Sequence, residues 1–353
     1  MENKGEIRFS DLSAYRGELM GFAIIIVAMF HVFMPSTYYF YPLRRLGNVG
    51  VDMFLFVSGM GLWYSWTRMR LGKQLDGKGA MPLKESLLHF FQRRYLRIYP
   101  IWILVASVFY IWKYMTVPGG KFSPDIPNLI ANILFNWSFW RADDLTFWYV
   151  PATMMLYIFA PPYMELIRRS PIYRWLPVAA VLLATMVQYI PLFHHTVGHL
   201  EIFFSRIPIF LIGINCGKWV MGKRTLEKNS IWLLLLIFVM CVWICLRFEY
   251  IGHNRFPLFM ERMVYIPLTV TALLLECKII PLLPKAINRG LTFLGTISLE
   301  IYLIHIEFVL RPLSELHLGY CITTLLVLLI SVPVAFVLHW TINKCIGAWR
   351  QEP

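Results

Sequence analysis

The sequence predicts an all-α integral membrane protein of about ten transmembrane helices in one bundle, and composition and patterning together carry that prediction. Of 353 residues, 58% are hydrophobic and only 15% are charged, against roughly a quarter charged in an ordinary soluble domain. A crossing helix needs about 20 mostly apolar residues, and runs of that kind recur along the whole chain. Thirteen Trp, 18 Tyr and 26 Phe suit a protein with two interfacial belts to fill. This composition excludes a soluble globule.

The first apolar run, 17–35, follows a short polar segment, 1–16, and no small-x-small cleavage pattern comes after it, so it reads as a retained helix rather than a signal peptide. Helices are then expected at 47–66 and 96–117, the latter starting in the basic stretch that ends at Arg97. The stretch 127–140, PNLIANILFNWSFW, is too short to span and is expected to lie in the interface or to re-enter the membrane. Further helices follow at 146–166, 174–193, 200–221 and 231–248, then at 260–281, 291–311 and 320–342, interrupted by charged or Pro/Gly-containing segments such as RRSPIYR and GKRTLEK. There is no internal repeat, no low-complexity tract and no soluble domain at either end, so residues 1–353 read as one membrane domain with 1–16 on the cytoplasmic side.

Thirty-three basic against 20 acidic residues give a formal charge of +13, which in a soluble protein would suggest nucleic acid. Here the excess lies in the loops and reads as topology. With the N-terminus inside, 23 Lys and Arg fall in cytoplasmic segments and nine outside, with Arg206 left within a helix. Basic residues concentrate in cytoplasmic loops, so both termini are expected in the cytoplasm. No nucleic-acid partner is expected. The six cysteines show neither a disulfide framework nor metal spacing, and no metal is expected.

An ionisable side chain at membrane depth is costly and is by default a functional candidate. The candidates are His31, Asp52, Arg206, Glu276, Glu300, His305 and Glu307. At ~1.5 Å per residue, His31 and His305 each lie roughly 21 Å from the inner start of their helices. Asp52 and Arg206 lie about 8 Å and 9 Å below the outer surface. Four polar groups from four helices are thus expected at one level in the outer half of the bilayer. Interhelical hydrogen bonding alone could account for them, but a His beside a carboxylate is also the minimal general-base arrangement. At the inner side, HFFQRRYLRIYP places Arg93, Arg94 and Arg97 together, with Arg94 and Arg97 on one helix face. Paired guanidinium groups suit phosphate, and equally suit a positive-inside anchor for lipid headgroups. A phosphate site at one surface and a proton-transfer site about 20 Å deeper together suit a cofactor with phosphates at one end and its reactive group on a long thin arm.

Six fragments, in order, carry a resemblance to the acyltransferase-3 family of bacterial integral membrane acyltransferases. MGFAIIIVAMFH, ending at His31, resembles the family's first-helix motif with its catalytic histidine. GNVGVDMFLFVSG, containing Asp52, and the Arg94/Arg97 pair resemble the second and third helices, and FWYVPATMMLYIFAPP, SRIPIFLIGINCG and LGTISLEIYLIH the later ones. Where the family usually has Arg or Lys, 11 residues before the histidine, this chain has Met20; Arg16 stands one turn earlier. Trp148 and Tyr149 followed by Pro151 replace a more acidic pattern, and no appended esterase-like domain is expected.

The resemblance implies transfer of an acyl group, acetyl expected, from acyl-CoA to a hydroxyl of a cell-surface saccharide or glycolipid, in the bacterial inner membrane. Arg94 and Arg97, with Arg16, are expected to hold the CoA phosphates. His31 is expected to take the acceptor proton or receive the acyl group, and Asp52 to orient it. Arg206, Tyr302 and His305 are expected to stabilise the oxyanion or place the acceptor, while Ser58, Gly59 and Ser298 are expected to be packing positions. A proton-coupled transporter or flippase is the rival reading, because intramembrane His, Asp, Glu and Arg also build relays.

Overall fold

The computed structural model describes residues 6–75, 81–117, 119–120, 124–142, 144–252 and 257–351. The first five residues of the polar N-terminal segment lie outside these, as do Lys4, Lys78, Lys121 and Arg255 of the basic-residue count.

All ten expected apolar runs are helical. They form α1 Arg16–His31, α2 Val49–Leu75, α3 Leu83–Thr116, α4 Tyr149–Arg169 and α5 Leu176–Tyr189. After these come α6 Ile207–Met221, α7 Ser230–Gly252, α8 Leu258–Ile279, α9 Lys285–Thr296, α10 Ser298–Ile304 and α11 Tyr320–Gln351. The short stretch near 127–140 forms two brief helices, Ile126–Phe135 and Trp137–Ala142, joined at Asn136 in the left-handed region (φ 51°). Tyr110 Oη donates to Asn136 Oδ1 (2.7 Å) and Asn136 Nδ2 donates to Thr146 O (2.7 Å), which pins this turn against α3.

Two expectations about the spans need correction. Among the described residues seven helices are long and apolar enough to cross a membrane, or eight if the pair Lys285–Thr296 and Ser298–Ser314 counts as one broken span, rather than ten. Helix α1 has 16 residues and reaches about 24 Å, short of a hydrocarbon core of about 30 Å. It does not need to match the lipid, because Leu19, Ala23, Ile24, Val27 and Ala28 are buried among neighbouring helices. Helix α4 carries Glu165, Arg168 and Arg169 in its final turns and Pro161 and Pro162 in its interior, which shortens its apolar part. Lipid is met instead by helices such as α7 and α11, where Trp232, Leu236, Trp243, Leu325, Leu329 and Val337 are exposed.

The second correction concerns 291–311, expected as one straight helix. The chain bends by 63° between α9 and α10, and α10 runs on into a wide π turn over His305–Leu310, whose end is marked by the Arg311 N–H reaching back to Ile306 O. On the near side of the bend α9 packs directly on α1. A Cβ on Gly21 would collide with Leu291 O, and one on Gly295 with Gly17 O, so the two backbones touch directly. Small residues permit that approach. Gly21→Val is therefore expected to destabilise the bundle by about 1–3 kcal/mol or more, read as lost thermal stability and lower yield of folded protein; unchanged stability would contradict this crossing. Gly59 allows the equivalent approach of α2 to Phe210 O of α6, as expected of a packing position.

A small two-stranded ladder orients the ends of the bundle. Ile7–Arg8 pairs antiparallel with Thr225–Leu226, Phe9 N–H donates to Arg224 O (3.0 Å) and Lys278 Nζ donates to Glu6 O. The N-terminal segment, the α6–α7 loop and the end of α8 thus share one end of the bundle with Arg16, called the basic end below. His31 closes α1 at the other.

Candidate active site

A cavity of about 240 Å3 enters the bundle among α1, α2, α3, α4, α10 and α11. Its basic end is lined by Arg16, Arg93, Arg94 and Arg97, and its inner end by Val27, Phe54, Tyr149 and Tyr302. Helix α3 begins at Leu83, well before the expected start at 96, so the arginines sit on formed helix rather than at its first turn. That rigid spacing puts Arg94 and Arg97 on the face that looks into the cavity. Arg94 rests over the Phe90 ring at 5.9 Å. Among the described residues no carboxylate forms an ion pair with any of the four, and Arg16 Nε is buried without a hydrogen-bond partner. Clustered guanidinium groups without counter-charges favour an anionic ligand. Met20 and Arg16 both line this cavity, so the basic residue one turn early reaches the same site.

One wall of the cavity was only half visible in the sequence. Glu300, flagged without a partner, accepts from Nδ1 of His339 at 2.7 Å, and Asn343 Nδ2 donates to His339 Nε2 at 2.8 Å. All three line the cavity. His339 falls inside the expected span 320–342, and the rule that flagged the other intramembrane ionisable residues applies to it equally. Ser58 and Ser298, expected as packing positions, also line the cavity, although Ser298 Oγ donates to Gly295 O (2.9 Å) at the bend.

The four polar groups expected at one level separate into two pairs. His31 and His305 meet edge to face, with ring centroids 5.1 Å apart and His305 Nε2 3.3 Å from His31 Nδ1. Asp52 instead faces Arg206, with Oδ2 3.9 Å from Nη2, both side chains fully buried. The expectation that Asp52 orients His31 is thus not met: its carboxylate neutralises a guanidinium that would otherwise be buried uncompensated. Arg206 also donates to Asn48 Oδ1 (3.2 Å) and lies over the Trp148 ring at 5.1 Å. It does not line the cavity. Between the two pairs stand Trp148 and Tyr149, ring to ring. Tyr149 packs edge to face on Tyr302 at 5.2 Å, and its N–H donates to Tyr302 Oη (3.2 Å). Tyr302 lines the cavity. The cavity reaches Val27 and Tyr302, one helical turn short of His31 and His305.

The other flagged carboxylates lie elsewhere. Glu307 pairs with Arg311 Nε at 2.7 Å, beyond His305 on the π turn, and Glu276 on α8 has a buried Oε2 without a hydrogen-bond partner. Neither lines the cavity. Among the described residues no group of three or more His, Cys, Asp or Glu is placed to hold a metal ion, and the cysteines are unpaired.

A family model described as an acyltransferase domain matches residues 19–340, nearly the whole chain. The chain belongs to the acyltransferase-3 family. No curated protein and no solved structure matches it. Membership makes this multi-pass membrane protein an acyltransferase and takes precedence over the transporter reading, which rested on the same ionisable residues. The matched range holds His31, Asp52, Arg94, Arg97, Arg206 and His305 of this acyltransferase, and leaves Arg16 just outside.

Proposed function

We propose that this acyltransferase moves an acyl group, with acetyl the expected one, from cytoplasmic acyl-CoA to a hydroxyl of a cell-surface saccharide or glycolipid at the outer face of the bacterial inner membrane. The observation that carries this reading is one cavity running from an arginine cluster, without ion-pair partners among the described residues, to within one turn of the contact between half-buried His31 and buried His305. Its volume of about 240 Å3 falls below the roughly 300–1,000 Å3 of pockets that enclose whole ligands. The nucleotide then stays on Arg94, Arg97 and Arg16, and the slim pantetheine arm carries the thioester inward. The excess of Lys and Arg in the segments expected inside supports a cytoplasmic arginine end.

His31 Nδ1 lies 2.8 Å from Val27 O. A carbonyl only accepts, so Nδ1 holds the ring proton and Nε2 is the basic nitrogen. In the direct route Nε2 takes the acceptor hydroxyl's proton, the hydroxyl oxygen bonds to the thioester carbonyl carbon, the C–S bond breaks and the departing CoA thiolate recovers the proton. In a covalent route the same Nε2 bonds to the thioester carbonyl carbon as the C–S bond breaks and CoA leaves as thiolate; the acceptor oxygen then bonds to that carbon as the N–C bond breaks, and the hydroxyl proton goes to the thiolate. Tyr302 lines the cavity one turn before His305, its ring 5.9 Å from the His305 ring, and its hydroxyl is the candidate for the oxyanion.

The experiment is transfer in sealed vesicles of defined orientation, with radiolabelled acetyl-CoA on one side and an envelope saccharide or glycolipid fraction on the other. Label is expected in the acceptor only when the donor is on the arginine side. Transfer supported equally from either side, or none with any acyl-CoA, overturns the proposal.

A further inference from the structure

We infer that His305 is the positioning residue of His31: its Nε2 holds His31 in the tautomer with a bare Nε2 and shares the charge when that nitrogen is protonated. The inference rests on His31 as the base, as proposed above.

The argument is one of donors and acceptors. His305 Nδ1 lies 2.8 Å from Tyr302 O and 3.0 Å from Ile301 O. Both oxygens only accept, so Nδ1 carries the proton of the neutral ring and Nε2 is a bare acceptor. That acceptor faces His31 Nδ1 at 3.3 Å. The Nδ1 proton of His31 is therefore shared between Val27 O and His305 Nε2, and the other tautomer of His31 would set its lone pair against two acceptors at once. When His31 Nε2 takes a proton, the same Nδ1–H becomes the donor of an imidazolium, and its hydrogen bonds strengthen. This is the task a carboxylate performs in a catalytic triad, and here the carboxylate expected for it, Asp52, is engaged by Arg206. A neutral acceptor does the same work without burying a further charge at membrane depth.

The geometry also leaves His305 without a free donor for the oxyanion, one of the two roles first expected of it. Its one N–H is held by backbone carbonyls, its ring is fully buried and it does not line the cavity, so it has no donor to offer an oxyanion. Its place at the start of the π turn is consistent with the frequent occurrence of such turns at functional sites.

The test uses the full chain in nanodiscs with 15N-labelled histidine, comparing wild type, His305→Leu and His305→Gln. Leu removes the acceptor, whereas the Gln side-chain oxygen restores one. In the wild type, 15N shifts are expected to show His31 protonated at Nδ1. In His305→Leu, kcat is expected to fall by about 10- to 100-fold, the loss of one hydrogen bond to a charged donor. KM for acyl-CoA should hold and His31 should become a mixture of tautomers; His305→Gln should recover most of both. Retained acyl-CoA affinity certifies the fold. A His305→Leu rate within about twofold of wild type, or His305→Gln as inactive as Leu with the His31 tautomer unchanged, overturns the inference. If His31→Gln remains active while His305→Leu still shifts the His31 tautomer, the base assignment fails and the histidine pair stands.

Discussion

His31→Ala and His31→Gln are each expected to lower acyl transfer by about 10²- to 10⁴-fold, the usual contribution of a positioned general base, and to leave expression and acyl-CoA binding unchanged. Neither side chain accepts a proton near neutral pH, so the two variants should agree despite their different volumes. The measurement is acetyl transfer in membranes at matched protein level. Asp52→Asn provides the contrast. Its carboxylate faces Arg206 inside the bundle, and removing one member of a buried pair costs about 3–5 kcal/mol, so this variant is expected to lose thermal stability first and rate only through it. Near-normal transfer by His31→Ala would remove the mechanism, and a rate loss in Asp52→Asn at unchanged stability would return the orienting role to the carboxylate.

Arg94→Gln combined with Arg97→Gln is expected to weaken acyl-CoA binding by about 100-fold or more. Each charge-assisted hydrogen bond is worth about 1.5–3 kcal/mol, and about 1.4 kcal/mol is a factor of ten. The helix itself should be untouched, because glutamine is a good helix former and neither arginine has an ion-pair partner among the described residues. Arg16→Gln is expected to cost about tenfold by the same arithmetic. Calorimetry on purified protein reads all three, and affinity should fall with added salt as the phosphate contacts are screened. Unchanged affinity in the double variant would leave the cluster as a lipid-headgroup anchor.

Class, helix positions and most of the site's residue types were legible in the chain because each follows from local rules. Bilayer thickness sets the length of an apolar run, and the cost of a buried charge singles out each ionisable residue within one. Hence all ten apolar runs fall on helical segments, one of them broken by the bend, and seven ionisable residues were flagged, with Glu300 lacking only its partner. The same rules misjudged what depends on neighbours. Helix α1 was expected to span, but its 16 residues are surrounded by protein, so lipid thickness does not set its length. The direct contact of α9 on α1 beside the bend is written in Gly17, Gly21 and Gly295, a spacing that acquires meaning only when two backbones meet.

Pairing is where depth arithmetic stops. Counting residues put His31, Asp52, Arg206 and His305 at one level, and a level is a plane with many possible pairs. The sequence by itself determined that this chain is a helical membrane acyltransferase with basic groups at one end and histidines near the other, because hydrophobic length, charge asymmetry and motif order are properties of the chain alone. Only the tertiary structure decided that Asp52 belongs to Arg206 and His31 to His305, that His339 reaches Glu300, and that Arg16 shares the cavity with Arg94 and Arg97. Those pairings depend on the rotation of each helix about its own axis. That rotation is set by which faces pack together, by glycine contacts such as Gly21 on Leu291 and by the extra residue of the π turn, none of which a one-dimensional count of rise per residue contains.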